Sequence, residues 1–380
     1  MKSPLAPYVF LLRNLSKSTP LAGVIVLAVL LISGIVVIMN SIPLSIRTTY
    51  SYSRFHTGVT PRGNPAMTPT LKKIILDESP VALGPLMTCR AADCEVKSIV
   101  GPWRFVVIAL EQNDMRSYAA RLGATKLTGR WPRKGEPEAV VSEPILKNMQ
   151  LKMGSAILKP EDSNNYSPKP VKIVGVLRTD QWLAMMPIEY HRANHFPPID
   201  LLVVMAKSLD EQDKLDHWIY ERFKGMQARV FAYFKLEEET TEMFKILYSI
   251  LNVVIGLLVI VITLMMALLM NIYQSQRVQE FGLLQAIGLS RNTLLRRILA
   301  ESAIVVFLGW VMGLVSSLAF LSLIRKVLFD PRAFMLDPFD RTAYLYTVPV
   351  PIVIFAVSAL TIWTKFHKFD PVGVVERRLV

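Results

Sequence analysis

The chain has almost no cysteine, two residues in 380. A disulfide-rich scaffold and a multi-cysteine zinc site are therefore excluded, and at most one intramolecular bridge can form. It has no Gly-x-x-x-x-Gly-Lys-Ser/Thr phosphate loop, so it cannot hold ATP by that motif. A Gly-x-Ser-x-Gly elbow is also missing, which removes that hydrolase reading. Acidic residues are fewer than basic ones, 30 against 43, for a formal charge of +13. Such an excess fits nucleic acid, an anionic membrane surface or Lys/Arg-rich cytoplasmic loops. No basic stripe gathers within one folded segment, so nucleic acid is set aside as a partner.

What is present is apolar sequence in long runs. At 52% hydrophobic residues the chain is too apolar for an ordinary soluble protein, and at 19% charged it is too polar to lie wholly in lipid. Uncharged runs lie between Lys17 and Arg47, from Ile246 to Gln276, from Ser302 to Ile324 and from Thr342 to Thr364. Each is long enough, at about 1.5 Å per residue, to cross roughly 30 Å of hydrocarbon. Pro349 and Pro351 fall near the start of the fourth, where a helix loses few hydrogen bonds to them. The first run is longer than a signal-peptide core and has no evident small-residue cleavage site, so it is expected to stay as an anchor.

Orientation follows from the basic flanks. Lys2, Arg13 and Lys17 precede the first run, Arg277, Arg291, Arg296 and Arg297 follow the second, and Lys365, Lys368, Arg377 and Arg378 follow the fourth. All three sets belong in the cytoplasm, with both termini, and the acidic cluster Glu237, Glu238, Glu239 and Glu242 belongs outside it. The expected organisation is a cytoplasmic amphipathic segment (1–20), a first span (21–40), an extracytoplasmic domain (41–244) and a second span (245–273). A cytoplasmic loop (274–301), a third span (302–324), a short outer loop (325–343), a fourth span (344–364) and a cytoplasmic tail (365–380) complete it.

The large domain has mixed polarity and turn signals at Pro61–Pro65, Arg133–Glu138 and Glu161–Pro170. Arg104–Leu110, Glu138–Ser142 and Val171–Leu177 read as strands, while SEPILKNMQL and SLDEQDKLDHWIYERFKGM read as helices, which makes an α+β fold. Cys89 and Cys94 can close a small loop in an oxidising compartment, the reading preferred here, or sit as two buried thiols. Glu189, His191 and His195 place two imidazoles at metal-ligand spacing for a helix. The glutamate that follows the first histidine in zinc proteases is missing and prolines flank the segment, so surface histidines are expected.

The most informative stretch is RVQEFGLLQAIGLSRNTLLRRILAES, Arg277 to Ser302. Glu280 to Ile287 reads as a short helix with apolar Phe281, Leu283, Leu284 and Ile287; Gly288 ends it and Ser290 caps the next helix. A short amphipathic helix in such a loop is an interfacial anchor or a docking element for a soluble partner.

This stretch resembles the signature of FtsX-like, MacB-type ABC transporter permeases, the LolC/LolE- and MacB-like (type VII) membrane subunits. The pattern is Arg277, then Glu280, Phe281, Gly282, Leu283, Leu284, Ala286, Ile287 and Gly288. It continues into the third span, where Gly309, Gly313 and Ser317 give the close-packing spacing such permeases share. LTGRWPRKGEPEAVVSEPILKNMQLKMGSAIL followed by KIVGVL resembles the MacB-type periplasmic core, and FLLRNLSKS and FDPVGVVERR resemble the family's ends. The stretch from Ser41 to about Ile99 resembles nothing nameable.

The resemblance implies a four-helix membrane protein of the bacterial inner membrane with an α+β domain of MacB periplasmic-core type. It implies a separate cytoplasmic ATPase that binds the ATP, so that the chain itself needs no cofactor and is not an enzyme. It also implies pairing with a second permease, identical or homologous, and transmission of motion from a coupling helix to the outer domain. The expected function is export or extraction of a hydrophobic or amphipathic substrate such as a lipoprotein, peptide or antibiotic. The alternative is FtsX-like signalling to a cell-wall hydrolase, and a periplasmic adaptor is a further candidate partner. A catalytic role through Glu189 and the two histidines is the least favoured.

Overall fold

The computed structural model describes residues 15–99, 101–276, 280, 284–285 and 287–367. Along the chain, α1 (Leu15–Thr49) leads to β1 (Thr57–Pro61), α2 (Thr68–Glu78), β2 (Leu83–Ser98), β3 (Gly101–Leu110) and α3 (Gln112–Arg121). Then come β4 (Lys126–Gly129), β5 (Glu138–Ser142), α4 (Glu143–Asn148), β6 (Ala156–Leu158), β7 (Val171–Arg178), β8 (Ala184–Pro187) and α5 (Ile188–Ala193). The chain continues through β9 (Leu201–Ala206), α6 (Gln212–Arg222), β10 (Ala228–Phe231), α7 (Tyr233–Gln276), α8 (Arg291–Ile324), α9 (Arg341–Leu345) and α10 (Pro349–His367). Two compact units result: a helical unit drawn from 1–39, 246–325 and 337–380, and a sheet unit, Asn40–Lys245 with Lys326–Leu336.

Among the described residues, four helices are long and apolar enough to cross a membrane, within Ser18–Thr49, Tyr233–Tyr273, Arg291–Arg332 and Arg341–Thr364. Three of them, α1, α7 and α8, outrun their apolar runs. At 44 residues α7 measures about 66 Å, twice the thickness of the hydrocarbon layer. Its first turns are polar, from Tyr233 to Lys245, and belong to the sheet unit, as does the end of α1. There Arg47 Nη2 donates to Thr241 Oγ1 at 2.8 Å and Arg47 Nη1 lies 3.4 Å from Glu237 Oε1. Both partners are part-exposed, so the pair adds at most about 1 kcal/mol and serves mainly to set register.

The sheet unit holds ten strands in the order β10-β1-β9-β2-β3-β8-β5-β7-β4, with β6 alongside β7. Pairs β3/β8 and β5/β7 are parallel and the others antiparallel, so the fold is mixed α+β. Strand β2 organises it. Its first half pairs with β9 through Cys89↔Leu201, and its second half with β3 from Arg90↔Ala109 onward. The fully buried residues shift from odd positions, Met87 and Cys89, to even ones, Ala92, Cys94 and Val96, where the strand changes partner. Two cores flank it. The smaller joins Val59, Leu71, Ile75, Leu202, Val204, Leu215 and Ile219, and the larger runs from Met87 through Val107, Tyr118, Val140 and Ile173 to Met186. Because β9 faces both cores, Leu202 to Ala206 are all buried, the continuous apolar pattern of a strand covered on two sides.

The strand geometry corrects the expected bridge. Cys89 and Cys94 are free and buried on one extended strand. Five residues at about 3.3 Å each put them roughly 16 Å apart, far beyond the ~7 Å between α-carbons that a disulfide spans. Burial pushes the Cys94 thiol up to about 12 and that of Cys89 higher still, so both stay protonated at neutral pH.

Candidate functional site

In the helical unit the Gly/Ser stripe of α8 lies along α1. A Cβ on Gly309 would stand 3.1 Å from Ile25 Cβ, and one on Gly313 only 2.8 Å from Val29 Cβ. One turn further, Ser317 Oγ and Ser33 Oγ are 2.6 Å apart and hydrogen-bonded, and Ser33 Oγ is also 2.6 Å from the Val29 carbonyl. Ile25, Val29 and Ser33 recur every four residues, as do Gly309, Gly313 and Ser317, so two matched ridges mesh. Without glycine the helix backbones could not come this close. The stripe is filled by the chain's own first helix, so it is not the surface on which a second permease is received.

Near the start of α8, Glu301 is 2% exposed among Ser18, Leu21, Met270, Tyr273, Ile298, Ser302 and Val305. Arg297 Nε meets Glu301 Oε1 at 3.1 Å, one helical turn away. A charge in such surroundings persists only with a partner. Elsewhere Trp310 Nε1 donates to Thr347 Oγ1 at 3.1 Å.

The turn between α7 and α8 is built by local rules. Leu284 and Gln285 are helical; Leu289 N donates to the Leu284 carbonyl at 3.1 Å and Gly288 N to the Gln285 carbonyl at 2.9 Å. That pair of bonds ends a helix with one residue in the left-handed region, and Gly288 supplies it at φ +99°. Ser290 then caps α8, its Oγ accepting from Thr293 N at 3.3 Å.

The side chains of this turn divide. Leu284 and Leu289 pack against Leu294, Ile298 and Ile362, so they fasten the turn to the chain's own helices. Ile287 is 79% exposed, and Glu280 and Gly288 are exposed as well. Arg277, Phe281, Gly282, Leu283 and Ala286 lie outside the described residues. The inward role of Leu284 was not legible locally, because Ile362 is far along the chain.

In the sheet unit the residues considered for metal binding do not form a ligand set. Glu189 Oε1 is 3.6 Å from Lys134 Nζ, and His191 is buried with Nε2 3.3 Å from the Ala91 carbonyl and its ring stacked on Phe196. Burial lowers the His191 pKa. His195 is exposed. Among the described residues no group of three His, Cys, Asp or Glu is placed to hold a metal.

The segment after β4 is held by a clasp that sequence reading passed over. Arg130 Nη1 donates to Glu138 Oε2 at 2.6 Å, Arg130 Nη2 to Glu138 Oε1, and Arg133 N to Glu138 Oε2 at 2.9 Å. The Arg130 hydrogen bonds hold the Glu138 carboxyl below the usual range.

Residues 252–366 match the family model described as FtsX-like permease C-terminal. No curated protein matches the chain. Among solved structures, the chain is similar to the periplasmic region of MacB from Actinobacillus actinomycetemcomitans at 8% identity, over 50% of this chain and 96% of that one, with a TM-score of 0.28. The extracellular domain of the noncanonic ABC-type transporter YknZ from Gram-positive bacteria is similar at 11% identity, over 47% and 98%, with a TM-score of 0.26. A domain of a Porphyromonas gingivalis permease protein follows at 12% identity, over 47% and 89%, with a TM-score of 0.25. Residues 252–366 thus carry a domain similar to the C-terminal part of FtsX-like permeases, in a chain whose described residues include four helices long and apolar enough to cross a membrane.

Proposed function

We propose that the chain is a mechanical subunit: a separate cytoplasmic ATPase grips the turn at 280–288, and its ATP-driven movement passes along the helices to a sheet domain outside the cytoplasm. The observation that carries this reading is the division of labour in the turn. Leu284 anchors it to α8 and α10, while Ile287, at 79% exposed, stands outward in the turn that Gly288 completes. An exposed apolar anchor on a firmly seated turn is what a helix-in-groove partner takes hold of. Both termini lie in the cytoplasm in this reading, and a second permease completes the assembly.

The work done outside is export or extraction of a hydrophobic or amphipathic substrate.

Copurification tests the docking. Tagged, detergent-solubilised protein should bring down a Walker-motif ATPase, and Ile287→Asp should lower its recovery about tenfold or more, because a carboxylate would have to be buried in an apolar groove. Undiminished recovery with Ile287→Asp would sink the docking assignment, and recovery of no ATPase from the unmodified protein would sink the mechanism.

A further inference from the structure

Asn148, the last residue of α4, is fully buried and is not claimed by any role described so far. Its amide makes three hydrogen bonds. Lys97 N donates to Asn148 Oδ1 at 2.8 Å, and Asn148 Nδ2 donates to the Lys97 carbonyl and to the Arg332 carbonyl, each at 2.9 Å. Only an amide side chain carries one acceptor and two donors, which is the set this position uses.

The two ends of this junction differ in origin. Lys97 lies near the tip of the β2–β3 hairpin, opposite Pro102, which has no N–H to give. Asn148 offers Lys97 the donor and acceptor that a neighbouring strand would. Arg332 belongs to Lys326–Leu336, the segment that directly follows α8 and that forms part of the sheet unit. The segment is itself well knit: Ala333 N donates to the Asp330 carbonyl at 3.2 Å, Phe334 N to the Phe329 carbonyl at 3.0 Å, and the rings of Phe329 and Phe334 meet edge to face.

We propose that Asn148 is a positioning residue through which movement of α8 is handed to the β2–β3 hairpin. This rests on the reading that ATP-driven motion passes along the helices. A displacement at the end of α8 reaches residue 332 through the chain, and the shared amide passes it to Lys97 without any intervening flexible side chain. The hairpin tip also borders a cleft of about 350 Å³, lined by Glu95, Lys97, Met149, Leu151, Ile157 and Lys159, so its movement would reshape that cleft.

Hydrogen exchange on the whole permease–ATPase complex, with ADP and with a non-hydrolysable ATP analogue, tests the proposal. In the unmodified protein, nucleotide should change exchange both in 326–336 and at the β2–β3 tip. Asn148→Ala should keep the change in 326–336, lose it at the tip, and leave the ATPase rate as it was. Amides at the tip should also exchange about fivefold faster, the loss of one to two buried hydrogen bonds. Phe334→Ala, which loosens the segment and leaves α4 intact, should also weaken the response at the tip and so covers the case in which Asn148→Ala folds poorly. A response at the tip that persists in both variants overturns the proposal while leaving the docking reading standing. No nucleotide-dependent change in either region of the unmodified, ATP-hydrolysing complex overturns both.

Discussion

Leucine in place of Gly313 should destroy the seam between α1 and α8 and leave little folded protein in the membrane fraction. Even the first added carbon would lie 2.8 Å from Val29 Cβ, and Val29 is fully buried with nowhere to retreat. Overpacking of this kind costs about 1–3 kcal/mol where side chains can adjust, and more where backbones must separate. The milder Gly313→Ala should therefore lose about 2 kcal/mol in an unfolding titration in bicelles. Trimming the opposing residue should restore much of it, so Gly313→Ala with Val29→Ala is expected to show a coupling above about 1 kcal/mol. Removing the hydroxyl of Ser317 should matter less, because hydrogen bonds between membrane helices average about 0.6 kcal/mol. A neutral Gly313→Ala, or an additive double variant, would mean the two helices are not held by this contact.

A second large effect is expected from acid. His56 and Asp216 are both buried in the sheet unit, in separate groups: Thr57 Oγ1 donates to Asp216 Oδ1, Gln212 Nε2 donates to the same oxygen at 2.8 Å, and the Tyr118 hydroxyl lies 3.3 Å from His56 Nδ1. Burial lowers the His56 pKa to about 4 and raises the Asp216 carboxyl to about 6. A histidine with a depressed pKa takes up its proton more readily when unfolded, so its contribution to stability is lost as pH falls from about 6.5 to 4. An aspartate with a raised pKa holds its proton more readily when folded, so it adds stability as pH falls from about 6 to 3.8. The two slopes oppose each other over nearly the same window. The unmodified sheet unit should thus keep a nearly level stability between pH 6 and 4 as far as these groups are concerned.

Asp216→Asn removes one arm of that balance. The variant should lose up to about 3 kcal/mol between pH 6.5 and 4, at 1.36 kcal/mol for each unit of depressed His56 pKa. Thermal melts of the sheet unit within the whole protein, followed by intrinsic fluorescence across that range, would read it directly. Equal acid sensitivity in the variant and the parent would show that the two groups do not compensate.

Much of the helical unit was legible because its signals are local. An uncharged run long enough to cross lipid needs no knowledge of its neighbours, and Gly288 and Ser290 announce a helix end and a cap from their own chemistry. The lengths of α1 and α7 were not legible, since both continue past their apolar runs into polar turns whose support, Arg47 with Glu237 and Thr241, joins residues far apart in sequence. For the same reason Leu284 reads, with Phe281, Leu283 and Ile287, as part of the apolar face of a docking or anchoring helix, and it packs instead against Leu294, Ile298 and Ile362.

The sheet unit divides in the same way. Glu138–Ser142 and Val171–Leu177 show strand patterns because each is bounded by turn residues and rich in branched side chains. Strand β2 hides its nature: its buried positions change parity midway, so neither alternation nor a helical period fits the whole of it. Missing that strand also made a disulfide between Cys89 and Cys94 look reachable. Asn148 carried no signal at all, for a buried amide at the end of a short helix looks like any surface asparagine until its three partners are in view.

Strand β2 has one more consequence. Because one continuous strand of sixteen residues gives its first half to β9 and its second half to β3, neither half of the sheet can be lifted out without cutting that strand. The two halves must therefore melt as one cooperative body. Recombination cannot trade either of them like a cassette, and a descendant protein that acquires a new cargo has to do so by rewriting hairpin tips and loops around a backbone it cannot divide.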